Sequence, residues 1–301
     1  MEKGFRAAGF TEYTFFDWQA VRLDSGILGC QSRMIGAAMQ LEPDLIFCHI
    51  QNPSGPLDEE TAIELSKHGF VVNYSFDCRV QTEMQWMYDL APHIGLTLFS
   101  CEEDAANCKD GAVAVLQSSC DMDWYKRLPM ERTNDVVFIG GNYVPTNLVF
   151  PMAQHRSEMV KFLKAEIPTF KEYGMNWEVS QYINPQQETL LYNQAAIAIN
   201  QNNFLREGYT SDRIWRAMSC GIFVITSYFP GIEKIFGKCG EHLSWFKNFD
   251  ELKKKIEFYL KYAELREEIA ARGSAFVREN HSWKNRFEEM KGLISKQKEL
   301  A

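Results

Sequence analysis

The chain of 301 residues contains no apolar run approaching the ~20 residues that a membrane-spanning helix requires. Positive charge is also scarce. Its 32 Lys and Arg against 40 Asp and Glu leave a formal net charge of -8, which counts against a general nucleic-acid binder that relies on a basic face. None of the cysteines, at 30, 48, 78, 101, 108, 120, 220 and 239, forms a CxxC pair, and no His/Asp/Cys cluster has metal-ligand spacing. In stretches such as IFCHI and AMSCG a thiol suits a small core position, so reduced cysteines in a cytoplasmic protein, and no metal, are expected. No GxGxxG opens either half, which weighs against a flavodoxin-like or NAD-dependent enzyme. The start, MEKGFRAAGF, lacks both the apolar core of a signal peptide and the Arg/Ser-rich character of a transit peptide. Internal repeats and low-complexity segments are likewise missing.

What is present is a regular βα alternation. A short helix over 2–9 and a strand from Glu12 to Phe16 come first. Helices are then predicted over 29–40, 58–68, 81–90 and 103–109, and strands over 45–50, 71–75, 96–99 and 112–116, with Pro43 and Gly69 as breaks. Repeated units of this length imply an α/β fold with parallel, doubly wound sheets. The polar stretch 120–135, containing Pro129, reads as a linker. A second series follows: strand 135–140, helix near 154–164, helix 185–194 opened by Pro185, strand 196–200, a helix after Ser211, strand 223–226, and helices over 248–259, 263–279 and 283–293. The expected division is 1–125, 135–280 and a terminal helix over 281–301.

Chemistry concentrates in NQNNFLREGYTSDRIWRAMSCGIFVITS, residues 200–227. An apolar strand stops at Asn200, a polar loop carries Arg206, Glu207, Gly208, Tyr209, Thr210 and Ser211, and Ser211 is placed to cap the next helix. Strand carboxyl ends and helix amino ends favour anions, so a phosphate suits Thr210 and Ser211. Glu207 repels phosphate but accepts hydrogen bonds from vicinal sugar hydroxyls. Gly140, Gly141 and Asn142, after the strand DVVFIG, form either a phosphate or sugar loop or a plain turn. Arg156 either bridges diphosphate oxygens or stands solvated at a helix start. Arg213 points from the first helical turn, where an ion pair with Glu207 or Asp212 is one reading. Two strand ends of the first half are polar: His49, a structural residue or a base, and Asp77, a helix cap or a catalytic carboxylate.

EGYTSDRIWRAMSCGIFVIT resembles the donor loop of GT-B glycosyltransferases, in particular the group related to the spore maturation protein CgeB. FIGGNY with His155-Arg156-Ser157-Glu158, and the terminal HSWKNR at 281–286, are similar to further motifs of that group. The wider retaining families carry a second Glu where this chain has Arg216. A glycine-bearing first strand, usual in those proteins, is missing here.

The resemblance implies two Rossmann-like domains (GT-B), with C-terminal helices crossing back so that Trp283 and Phe287 pack on the first. It implies a metal-independent hexosyl- or pentosyltransferase, acting at the interdomain cleft without a cofactor beyond the nucleotide-diphosphate sugar. Donor contacts fall to Gly140, Gly141, Asn142, Arg156, Glu207, Gly208, Tyr209, Thr210, Ser211 and Arg213, and Asp77 takes the catalytic position. Tyr182 or Ile183 falls where such proteins pack around the nucleotide base. The acceptor is a glycan, a protein or a modified nucleobase, the last disfavoured by the acidic balance. An inactive nucleotide-sugar or glycan binding protein of the same fold is the alternative.

Overall fold

The computed structural model describes residues 1–75, 77–78, 81–146 and 150–300, with the side chains of 81, 82 and 300 excepted. Two compact units result: a first, Glu2–Gln117 with Arg286–Ala301, and a second, Ser118–Asn285.

In the first unit α1 (Glu2–Ala7) and α2 (Trp18–Leu41) precede β1 (Leu45–Cys48), α3 (Glu59–Ser66), β2 (Phe70–Ser75), α4 (Gln81–Leu90), β3 (Leu96–Phe99), α5 (Glu102–Asn107) and β4 (Val113–Val115). The four strands are parallel and ordered β1-β2-β3-β4. The strand expected over 12–16 is not formed. Tyr13 instead turns back onto α1, its hydroxyl donating to Glu2 at 2.6 Å and accepting from Arg6 Nε at 2.6 Å. Asp17 then caps α2 through the Ala20 N–H at 3.1 Å, so that helix begins well before Gly29, with a break at Gly26 where φ is 71°. Phe287, on α12 (Trp283–Leu300), is fully buried in this unit, with ring centroids 4.0 Å from Phe5 and 5.8 Å from Phe47. Trp283 falls in the second unit and is partly buried.

The second unit runs β5 (Val136–Ile139), α6 (Ala153–Glu166), β6 (Phe170–Tyr173), α7 (Pro185–Gln194), β7 (Ile197–Asn200), α8 (Asp212–Ser219), β8 (Phe223–Ser227), α9 (Ile232–Phe236), β9 (Ser244–Phe246), α10 (Phe249–Lys261) and α11 (Ala263–Asn280). Its strands are parallel in the order β6-β5-β7-β8-β9. Alternate residues fill opposite faces: Val137, Ile139, Ala198 and Val224 pack with Ile214 and Trp215 of α8, while Val136, Phe138, Ile197, Ile199 and Ile225 pack with Met159 and Leu163 of α6. Each such large apolar side chain contributes about 1.5–3 kcal/mol. Strand order reverses between β5 and β7, the place where open α/β sheets leave a crevice at the strand carboxyl ends.

The edge strands β6 and β9 were not predicted; both are short, and FKEY carries two charges. The polar stretch 120–135 is docked rather than a free linker. Tyr125 and Cys120 join the core, and Arg132 donates to the Tyr192 and Ala195 carbonyls, each at 2.8 Å.

Candidate functional site

Gly140–Asn142 end β5 and the run Asn200-Gln201-Asn202 ends β7, so both meet at the point of strand reversal. Arg156, on the first turns of α6, is aimed into this region. Rather than standing solvated, it is fully buried, with Nη2 donating to the Gln201 carbonyl at 2.8 Å and Nη1 to the Gly141 carbonyl at 3.2 Å. Its guanidinium lies 5.3 Å from the Tyr143 ring centroid and 5.6 Å from that of Phe138. Arg213, in the first turn of α8, donates from Nη2 to the same Gln201 carbonyl at 3.1 Å.

Two guanidinium groups therefore converge on one carbonyl oxygen. Among the described residues neither is paired with a carboxylate, and the Nε of each is buried without a hydrogen-bond partner. Burial first, and then the Arg213 charge, push the pKa of Arg156 down to about 9. Holding both groups charged here carries a desolvation and repulsion cost of the kind that an anion offsets.

The neighbouring loop is held from inside by side-chain amides. Asn202 donates to the Tyr209 carbonyl at 3.0 Å and accepts the Ser211 N–H at 3.2 Å, while Asn200 donates to Thr226 Oγ1 at 3.0 Å. Gln201 Nε2 lies 2.8 Å from His155 Nδ1. Tyr209, Thr210 and Ser211 are buried, Tyr209 edge-on to Phe204. Ser211 is the N-cap residue of α8, as expected, but its side chain makes no capping hydrogen bond. Its hydroxyl donates to Asn200 Oδ1 at 3.3 Å, so its amide and hydroxyl, expected to face a phosphate, are committed to the loop itself.

Other expected contacts are also redistributed. The Gly140 and Asn142 amides donate to the Tyr173 and Met175 carbonyls at 2.8 and 2.9 Å, which makes this turn a partner of β6. Gly174, with φ at 136°, sits so close that an added Cβ would lie 2.5 Å from the Gly140 oxygen. Glu207 is half-exposed and pairs with Lys234 at 2.7 Å beside Gly208, whose φ is 70° and whose α-carbon faces open space. Arg213 meets neither Glu207 nor Asp212: Asp212 takes Arg216, which also bonds buried Glu188 at 3.1 Å. Glu188 in turn accepts from the Tyr125 hydroxyl at 2.7 Å. The charge of Arg216 is thus confined to the α7–α8 interface. Tyr182 is exposed and Ile183 packs at the core margin.

Asp77 lies in the first unit just beyond β2, partly buried, and its carbonyl accepts from Ser75 Oγ at 3.0 Å. The expected alternative, a cap for the helix that follows, falls on residues 79 and 80, which lie outside the described residues. His49, beyond β1, has its pKa lowered by burial to about 4, so it is neutral near pH 7. A cavity of about 200 Å³ lies on the flank of α6 and β6, lined by Asn142, Lys161, Lys164, Glu172 and Trp177, and neither Arg156 nor Arg213 lines it. Sequence reasoning missed Gln201, Asn202 and Glu188. The signal for the first two was a run of amide side chains directly after a buried strand.

Residues 155–292 match the family model described as glycosyl transferase-like. No curated protein sequence matches the chain significantly. Among solved structures, Anabaena Alr3699/HepE in complex with UDP-glucose aligns with a TM-score of 0.64 at 13% identity, over 89% of this chain and 82% of that one. Sucrose-phosphate synthase from Thermosynechococcus elongatus aligns with a TM-score of 0.63 at 11% identity, over 98% and 82% of the two chains. TarM, an S. aureus protein, gives 0.63 at 12% identity, over 88% of this chain and 58% of its own. No helix among the described residues is long and apolar enough to cross a membrane. The chain thus has the two-sheet α/β fold of the GT-B glycosyltransferases, and its second half matches a glycosyl transferase-like family.

Proposed function

We propose that the protein is a glycosyltransferase that takes a sugar from a nucleotide-diphosphate donor, with Arg156 and Arg213 receiving the diphosphate. The observation that carries this reading is the convergence of two cations on the Gln201 carbonyl with both Nε groups unpartnered. Departure of the sugar leaves negative charge on the diphosphate, and fixed guanidinium donors stabilise it without reorganisation. Arg156 is locked by two backbone carbonyls and two rings, so its geometry is set before the donor arrives. Glu207 serves a donor hydroxyl by exchanging its exposed pair with Lys234, which is worth only about 0–1 kcal/mol. Asp77 is the carboxylate assigned to an acceptor proton or sugar hydroxyl. No metal or cofactor is assigned to the transfer step, and the acceptor is a glycan, a protein or a modified nucleobase. The HepE complex makes UDP-glucose the first donor to try.

Incubation with UDP-, GDP-, ADP- and dTDP-sugars, reading release of the nucleoside diphosphate, tests the proposal. Slow release from at least one donor, abolished in Arg213→Ala, is the expected outcome. Tight donor binding with no release under any acceptor condition favours the binding-protein alternative, whose structural motive is Arg216 tied into ion pairs where the resembled families carry Glu. Absence of both binding and release overturns the assignment.

A further inference from the structure

Folding of the first unit brings together three ligand-type side chains that are dispersed in sequence. Cys78 follows β2, Cys101 directly precedes α5, and Asp104 lies in the first turn of α5. The two Sγ atoms and an Asp104 carboxylate oxygen all lie within 4.8 Å of one another. Both thiols are fully buried, and Asp104 is 2% exposed. Its Oδ2 is buried with no hydrogen-bond partner. Among the described residues no Lys, Arg or His forms an ion pair with it.

A plain cluster of hydrogen-bonded acids does not account for that oxygen. Burial raises the pKa of Asp104, which favours the neutral carboxyl, but a proton placed on Oδ2 would itself face no acceptor. Burial makes the Cys78 thiol and the Asp104 carboxyl costly to ionise, and a cation among the three side chains would offset that cost.

We propose that Cys78, Cys101 and Asp104 bind one divalent transition-metal ion of the zinc type. Two thiolates with one carboxylate suit Zn²⁺ or Co²⁺, whereas Mg²⁺ and Ca²⁺ take all-oxygen shells. With metal–ligand bonds of about 2.0–2.3 Å, tetrahedral ligands stand roughly 3.5–4 Å apart, so contraction by about an ångström completes the set. Ser100 Oγ, 3.8 Å from Cys78 Sγ, offers an oxygen for the fourth position. On binding, the metal replaces the two thiol protons, and the carboxyl proton where Asp104 carries one; these pass to solvent, and nothing is oxidised. The ion ties the segment after β2 to the β3–α5 junction and so fixes the backbone beside Asp77. This role is structural and separate from the arginine pair of the second unit.

The full chain, reduced and freed of metal with a chelator, is titrated with Co²⁺ alone. One equivalent bound, with thiolate-to-cobalt charge-transfer absorption that Zn²⁺ abolishes, is expected. Cys78→Ser and Asp104→Asn each weaken binding at least tenfold, whereas Cys239→Ser leaves it unchanged. Asp104→Asn preserves shape, so it decides the matter should Cys78→Ser fail to fold. A folded protein that shows no charge-transfer band, or a band that survives both substitutions, overturns the proposal. So does a Cys78–Cys101 disulfide in the protein as isolated, combined with no cobalt binding after reduction.

Discussion

Removing the Arg213 guanidinium separates ligand binding from stability better than any other change at this site. The side chain is half-buried and makes one hydrogen bond, to the Gln201 carbonyl at 3.1 Å, so Arg213→Ala forfeits about 1 kcal/mol of folding energy. Against that loss stands the relief of repulsion with buried Arg156, whose cation Arg213 disfavours. The two act in opposite directions. For a domain of this size a 1 kcal/mol change moves Tm by about 2–4 °C, which bounds the expected shift. The liganded state behaves differently, because a charge-assisted bond to phosphate is worth about 1.5–3 kcal/mol. The Kd for a nucleoside diphosphate should therefore rise by roughly 10- to 150-fold. Isothermal titration of wild type and variant, with Tm measured alongside, reads both quantities. A Kd unchanged within threefold, in a variant of normal Tm, would refute the assignment of Arg213 to the diphosphate.

Three further outcomes follow from the same geometry. Asn202→Ala leaves the Ser211 N–H and the Tyr209 carbonyl without their buried partner and should cost about 2–4 kcal/mol in urea unfolding; a loss under 1 kcal/mol would show that Asn202 does not hold the loop. His49 has a folded pKa of about 4 against an ordinary 6.5, so the unfolded chain binds the extra proton first and stability falls as pH drops from 6.5 towards 4. That loss, about 3 kcal/mol at most, should be smaller in His49→Gln when Tm is followed across the same pH range. Gly174→Ala forces a side chain at φ 136° against the Gly140 oxygen and should destabilise by about 2 kcal/mol or more, with weaker donor binding; a neutral result would disprove the packing of the Gly140 turn on β6.

Periodicity made most of the fold legible. Apolar strands such as VVFI and FVITS, and Pro185 at the start of α7, announce their elements because buried parallel strands and helix starts leave local marks in sequence. The expected strand over 12–16 failed because TEYTFF has strand-forming residues, yet Tyr13 finds partners on α1 and Asp17 starts a helix. The polar loop between β7 and α8 was recognisable as a loop, but its wiring was not. Whether Ser211 caps α8 or serves Asn200, and whether Arg213 meets a carboxylate or a carbonyl, depends on groups brought in by β7 and α6. The Cys78–Cys101–Asp104 cluster was invisible to spacing rules because two adjacent strands, not one motif, assemble it.

The central claim is that Arg156 and Arg213 form a receptor for a sugar-linked diphosphate. Calorimetric titration of each nucleoside diphosphate beside its monophosphate and its free nucleoside tests that claim most directly. The account predicts one preferred base, with affinity falling about tenfold or more on loss of the terminal phosphate, as expected when a charge-assisted bond is removed. Equal affinity for a nucleoside and its diphosphate, or no binding by any of them, would contradict it.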